Sequence, residues 1–288
     1  MNSDTETMLQ RALRDLAWSI DSPSLIDSQS QLIPSAQQTD WESYRKTLPQ
    51  SLCAPPNHRV GKYFESLIQF WLQEVLSVHM IAQNKQIIED GMTKGELDFI
   101  FQKNDEEILH WETAVKFYLY HETKTVLGSH YIGPNTNDTF ERKLDRIFNY
   151  QLPLGNTQKP EIDRHEAHVK GRIFYHPNQR QPSQLPTHLS HEHGKGTWIH
   201  SSDWRRYAEN SPQEFYQVIR KPFWLSPEKI ADPTISKVFD IEAFHEKLKS
   251  HFRQSQHGLL VAAYDSDATG ALEQERLFIV EDQWPATT

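Results

Sequence analysis

The chain has one cysteine, Cys53, in 288 residues. A single thiol excludes an internal disulfide framework and a thiolate zinc cluster, and it points to a reducing compartment. No run approaches the roughly 18 apolar residues of a membrane span, and the start, MNSDTETMLQ, has neither the basic flank nor the apolar stretch of a signal peptide. A cytoplasmic protein without membrane contact is therefore expected. Positive charge is in short supply, with 30 Lys and Arg against 39 Asp and Glu, a formal net charge of −9. That excludes a protein that coats nucleic acid by bulk charge, although a local basic groove stays compatible with it. Glycines number 11 and prolines 16, too few for a fibrous or linker-dominated chain. There is no G-x-G-x-x-G, Walker, G-x-S-x-G or H-E-x-x-H motif, so dehydrogenase, kinase, serine-hydrolase and zinc-protease readings have no support.

What is present is periodic. Met8, Leu9, Leu13, Leu16, Ala17 and Ile20 recur at helical spacing over 6–20, with Ser3-x-x-Glu6 as a capping box. Residues 28–58 are polar and hold Pro34, Pro49, Pro55 and Pro56, which predicts loop with one short helix near Trp41–Lys46. The clearest helix covers 60–82, where Val60, Phe64, Leu67, Ile68, Trp71, Leu72 and Val75 share a face and Glu65 sits at its border. Strands follow at 85–90, 96–102 and 108–120. In the second, Leu97, Phe99 and Phe101 face one way and Glu96, Asp98 and Ile100 the other; in the third, Leu109, Trp111, Val115, Phe117 and Leu119 make an apolar face opposite Glu112, Ala114 and Lys116. A helix over 138–150, capped by Asp138, buries Phe140, Leu144, Ile147 and Phe148, and a strand follows at 168–176. Beyond it come a Pro- and His-rich loop at 182–196, short helices at 203–209 and 240–254, and strands at 259–264 and 276–281. The order is mixed α/β with a hairpin-built sheet.

The hairpin carries the chemistry. A turn centred near Asp105 sets Asp98 opposite Glu112 and Glu96 opposite Ala114, with Lys116 one same-face step further on. Carboxylates at cross-strand distance repel. A hard divalent cation relieves this, since Mg²⁺ or Mn²⁺ prefers carboxylate oxygens and water, and such an ion serves phosphoryl chemistry. The plainer alternative is a half-exposed hairpin with Glu112 and Lys116 as a weak ion pair.

Gly95–Phe101 (GELDFIF) and Glu112–Lys116 (ETAVK) resemble the PD-(D/E)XK nuclease superfamily, and Arg59–Glu65 (RVGKYFE) resembles its first-helix motif. The resemblance implies an αβββαβ core with a mixed sheet over 59–180. An N-terminal helix and loop over 1–58 would pack on it, and 181–288 would be an α+β extension of the same domain. It implies Asp98 and Glu112 as metal ligands, Glu65 as an outer or direct ligand, Lys116 as the lysine that assists the water or the transition state, and Mg²⁺ or Mn²⁺ as cofactor. Ala114 departs from the pattern by standing where the motif has Glu, which leaves Glu112 as a displaced ligand and Glu96 as a second candidate. Lys143 and Gln151 are expected near a phosphate or base of DNA or RNA. The stretches RDLAWSIDSPSLI, KLDRIFNYQLPL and ERLFIVEDQWP extend the resemblance, over nearly the whole chain, to one bacterial family of uncharacterised proteins grouped with that fold. Three functions stay open: a metal-dependent phosphodiesterase, a nucleic-acid- or partner-binding module on the same fold without catalysis, and a structural or partner-docking protein that uses the C-terminal extension. His188, His191, His193 and His200 are a weaker zinc candidate. Trp198, Trp204, Trp224 and Phe223, interleaved with Arg205, Arg206, Arg220 and Lys221, are candidates for stacking single-stranded bases, with core packing the favoured role.

Overall fold

A computed structural model describes residues 3–27, 39–56, 58–103, 107–123, 128–230 and 237–285. The first described elements are α1 (Ser3–Asp21), a 3₁₀ helix (Trp41–Lys46) and α2 (Gln50–Cys53). Next come α3 (Val60–Phe70), running on as a π-helical turn to Val75, then β1 (His79–Glu89), β2 (Met92–Gln102) and β3 (Ile108–Tyr120). After β4 (Tyr131–Ile132), α4 (Phe140–Arg146) extends through a π-helical turn to Gln151 and meets the short α5 (Leu152–Leu154). The rest is β5 (Arg164–Tyr175), β6 (Gly194–His200), α6 (Trp204–Glu209), β7 (Phe215–Val218), β8 (Val238–Phe239), α7 (Ile241–Phe252), β9 (Leu259–Tyr264) and β10 (Glu275–Val280).

The strands form one mixed sheet in the order β1-β2-β3-β5-β6-β10-β9-β7-β8, with β4 attached to the end of β3. Three neighbour pairs are parallel, β3 with β5, β5 with β6 and β6 with β10. The expected mixed α/β class is thus observed, and α3-β1-β2-β3-α4-β5 follows the predicted order of elements. Among the described residues no helix is long and apolar enough to cross a membrane.

Alternation on the strands sorts the core into layers. Leu109, Trp111, Val115, Phe117 and Leu119 of β3 join α1 and α3 in a cluster that continues to Leu260 and Phe278 at the far end of the sheet. On the other face, Ala114, Tyr118 and Tyr120 pack under α4 through Phe140, Leu144 and Ile147. Further along that face, α6 and α7 cover Ile199, Val261 and Ile279.

Several local expectations are corrected. The helix predicted to Ala82 ends at Val75, the chain turns at Ser77 (φ 53°), and β1 begins at His79 rather than Lys85. Nine paired positions against β2 outweigh the modest helical preference there. Leu97 packs with Ile87 and Ile100, apart from Phe99 and Phe101. The alternation slips between them at Asp98, opposite Asn84, whose φ is +49°. The cap of α4 is Thr139, whose hydroxyl accepts from the Arg142 N–H, because Asp138 is engaged elsewhere. The expected Ser3 cap concerns a side chain outside the described residues.

The end of α1 is closed from the sheet. Lys170 of β5 is 3% exposed and its ammonium donates to the carbonyls of Ile20 (2.9 Å) and Ser22. Burial lowers its pKa to about 8. Lys170→Met leaves these carbonyls without their donor and is expected to cost about 2 kcal/mol in a urea unfolding series.

Candidate functional site

The β2–β3 ladder runs from Gln102↔Ile108 to Phe99↔Trp111, the register expected from the turn, and then stops. The next residue, Asp98, leaves the ladder because its carboxylate takes over the partner's backbone. Asp98 Oδ2 accepts from the Thr113 N–H (2.8 Å) and the Thr113 hydroxyl (3.0 Å). Its Oδ1 has no hydrogen bond among the described residues. Beside it, Glu112 is 1% exposed, with both oxygens held. Oε1 lies 2.9 Å from His110 Nε2, and Oε2 accepts from the Gln151 amide at 2.5 Å.

His110 Nδ1 in turn lies 3.0 Å from His165 Nδ1, across the parallel pairing of β3 with β5. Burial lowers the pKa of His110 to about 4 and also lowers that of His165, so both rings are neutral at pH 7. With Glu112 ionised, its oxygens only accept, and His110 then carries its proton on Nε2 and receives one from His165 at Nδ1. The backbone of Gly155 closes over this pair: a Cβ there would come within 2.4 Å of the His165 ring.

Two buried carboxylates set side by side resist ionisation. Asp98 is pushed up to about 6, first by burial and then by the charge of Glu112, against the hydrogen bonds from Thr113. Glu112 is pushed up to about 7, chiefly by burial, with Glu96 and Glu65 adding to it. Lys143 of α4 opposes both shifts. Its ammonium donates to Gln151 Oε1 (3.2 Å), and burial, then the neighbouring Lys116, lowers its own pKa. On the α3 side, Glu65 accepts from Lys62 at 2.6 Å, and the same ammonium lies 3.7 Å from Glu96. Burial works against the charge on Lys62, but Glu65, Glu96 and Asp98 together outweigh it and raise its pKa.

The fold thus brings Glu65, Asp98, Glu112, Lys143 and Gln151 into one electrostatic neighbourhood. Lys116 stands at its margin. It donates to Asp138 Oδ2 at 2.7 Å, an oxygen shared with the Tyr118 hydroxyl at 3.2 Å, and so does not point at the carboxylate pair. Nor does it pair with Glu112, as the plainer reading of the hairpin had it. Ala114 faces the apolar cluster under α4. Sequence reasoning missed His110, His165, Thr113 and Lys62. His110 had a visible signal, two residues before Glu112 on the same face; His165 had none, because parallel register is not local.

No three His, Cys, Asp or Glu side chains gather as a ready-made metal cage among the described residues. The histidines of the loop candidate disperse. His188 stacks on Phe148, His193 bonds Tyr175 and the Ser190 carbonyl, and His200 bonds the Glu281 carbonyl. Trp198 and Trp204 are fully buried, and Arg205 and Arg206 pair with Glu209, Glu242 and Asp203, so Trp198 and Trp204 are core, not a stacking platform.

No curated protein and no solved structure matches the chain. One family model does, over residues 14–280, and with that coverage the chain belongs to the family described as domain of unknown function DUF1853.

Proposed function

We propose that the chain is a divalent-metal-dependent phosphodiesterase of PD-(D/E)XK type, acting on DNA or RNA in a cytoplasmic, bacterial setting. The observation that carries this reading is the pair Asp98 and Glu112, buried where the β2–β3 ladder stops, with no lysine or arginine in ion contact with either among the described residues. Two other buried carboxylates, Glu228 and Glu273, are matched by arginine, and a third, Asp15, is held by three hydrogen bonds from Tyr63 and Ser226. Leaving two unmatched is costly, and the cost is what a cation would remove. The donor set is hard oxygen, which suits Mg²⁺ or Mn²⁺. Such ions are commonly held by one or two carboxylates, with water and substrate phosphate completing the shell. When bound, the ion supplies Lewis acidity toward a phosphate and acidifies a water.

The chain's own groups divide the remaining work. Asp98 Oδ1 is the free ligand oxygen. Glu112 is held in orientation by His110 and Gln151. Glu65, with Lys62, closes the cluster from α3. Lys143 takes the place the resemblance gave to Lys116: it is the ammonium that acts on both carboxylates, and it is positioned to offset charge on a phosphate bound there. The test is cleavage of single- and double-stranded DNA and RNA with Mn²⁺, alongside Mn²⁺ titration by calorimetry. Lys143→Met is expected to lower cleavage by ~100-fold with Mn²⁺ affinity nearly unchanged, and Lys116→Met by much less. Equal losses in both variants would remove the distinction.

Two observations favour a second reading, a protein that binds nucleic acid without cutting it. Ala114 occupies the motif's Glu position, and Lys116 is tied to Asp138. Nucleic-acid binding with no cleavage in Mn²⁺ would select it.

A further inference from the structure

β3 has an edge that no described strand covers. On one side β5 pairs with it from Leu109 to Tyr120. On the other, β2 stops at Trp111 and β4 takes only Leu119 and Tyr120, so the stretch from Glu112 to Tyr118 is open. Strand N–H groups alternate between edges. The Thr113 N–H faces the open side, since Asp98 accepts it. Those of Val115 and Phe117 therefore face the same way.

A cavity of about 340 Å³ lies there. Val115, Lys116, Phe117 and Tyr118 all line it, although their side chains alternate between the two faces of the sheet, so it meets β3 edge-on. Its other walls bring His58, Arg59 and Lys221, all exposed, and Trp224. The Lys221 ammonium sits 4.6 Å from the Trp224 ring centre. Asp138 is the one carboxylate among its lining residues, and it is already paired with Lys116. A cationic slot with inward N–H donors and an aromatic wall contrasts with a chain of net charge −9.

We propose that this slot binds one nucleotide, its phosphate held by the Val115 and Phe117 N–H groups with Lys221 and Arg59, its base and sugar against the Trp224 wall. Backbone N–H groups and cations converging on one point are what a phosphate needs. Glu112 and Lys116 share a face of β3, so a strand whose phosphate reaches the carboxylates passes the slot. In that respect the inference rests on the proposed function and names a subsite for its substrate. An extended peptide adding to the open edge is the competing occupant, and the cations argue against it because a peptide backbone offers them no charge.

The experiment is titration of thymidine 5′-monophosphate and of a short oligothymidylate, followed by tryptophan fluorescence in EDTA. Without metal it reads the slot whether or not the carboxylates bind an ion, so this inference and the hydrolase reading fail separately. Wild type is expected to bind both probes saturably. Lys221→Glu and Arg59→Glu, exposed positions whose folding is checked by thermal melting, are each expected to weaken binding roughly tenfold or more. An oligomer bound much tighter than the monomer identifies a strand as the source; equal affinities identify a free nucleotide. The slot is overturned if wild type binds neither probe, if both variants bind like wild type, if thymidine without its phosphate binds as well, or if an uncharged extended peptide displaces the nucleotide.

Discussion

Asp98→Asn is expected to stabilise the protein at about pH 7.5 while abolishing its Mn²⁺ binding. The substitution keeps an oxygen for the two hydrogen bonds from Thr113 and removes only the charge. The folded carboxyl has its pKa raised to about 6 from 3.8. Between those values the folded state holds more protons than the unfolded, so stability falls as pH rises through the window, and the penalty is complete above about pH 6. Its size is set by the shift, about 2–3 kcal/mol, less the stronger hydrogen bonds that a charged acceptor makes. A net gain of about 1–2 kcal/mol, or ~3–6 °C in Tm, should appear in EDTA at pH 7.5 and shrink toward nothing near pH 4. Mn²⁺ should raise the Tm of wild type and leave the variant unmoved. A variant that melts below wild type at pH 7.5 would show that Asp98 is a structural bracket for Thr113 more than a strained ligand. A wild type indifferent to Mn²⁺ would favour the non-cutting reading.

Gly171→Ala is expected to be the most damaging small substitution in the core of the sheet. Gly171 pairs with Lys116 in the parallel ladder and has φ +150°, a conformation that side-chain-bearing residues rarely adopt. A Cβ there would fall 1.8 Å from the Lys116 carbonyl oxygen, which is backbone and cannot rotate away. β3 and β5 must separate to admit it, at the strand that carries Glu112 and the slot. A loss of more than about 3 kcal/mol is expected in chemical denaturation, large enough that little folded protein survives at 37 °C. Gly61→Ala is the contrast. It sits on α3 with nothing within 4 Å of the new methyl, and should change stability by less than about 1 kcal/mol. If Gly171→Ala melts like wild type, the sheet is far more compliant at this point than close packing allows.

The hairpin was the most legible part of the chain. Its register depends on a short turn and on alternation over neighbouring residues, and the pairs from Gln102↔Ile108 to Phe99↔Trp111 fall where the numbering implies, while Asp98 just beyond them turns to Thr113. The helical stripes of α1 and α3 were legible for the same reason, with Leu13, Leu16, Phe64 and Leu67 all buried as expected. The end of α3 was not, because residues 76–82 are compatible with helix locally and only the ladder from β1 to β2 makes them strand. The path of the sheet beyond β5 was also hidden: β6 neighbours β10, which follows it by more than seventy residues, and no periodicity within a segment encodes that choice.

The candidate site divides along the same line. Alternation along β3 alone places Glu112, Ala114 and Lys116 on one face and the large apolar residues on the other, since side-chain direction in a strand has a period of two whatever the partner. Which charge each of those side chains meets depends on distant chain segments. Lys116 finds Asp138 because β4 returns the chain to the end of β3, and Glu112 finds Gln151 and Lys143 because α4 is laid over that face. Local pattern sets direction over a few ångströms; the pairing of buried charges is settled by elements tens of residues apart, brought together by the burial of the apolar faces they share.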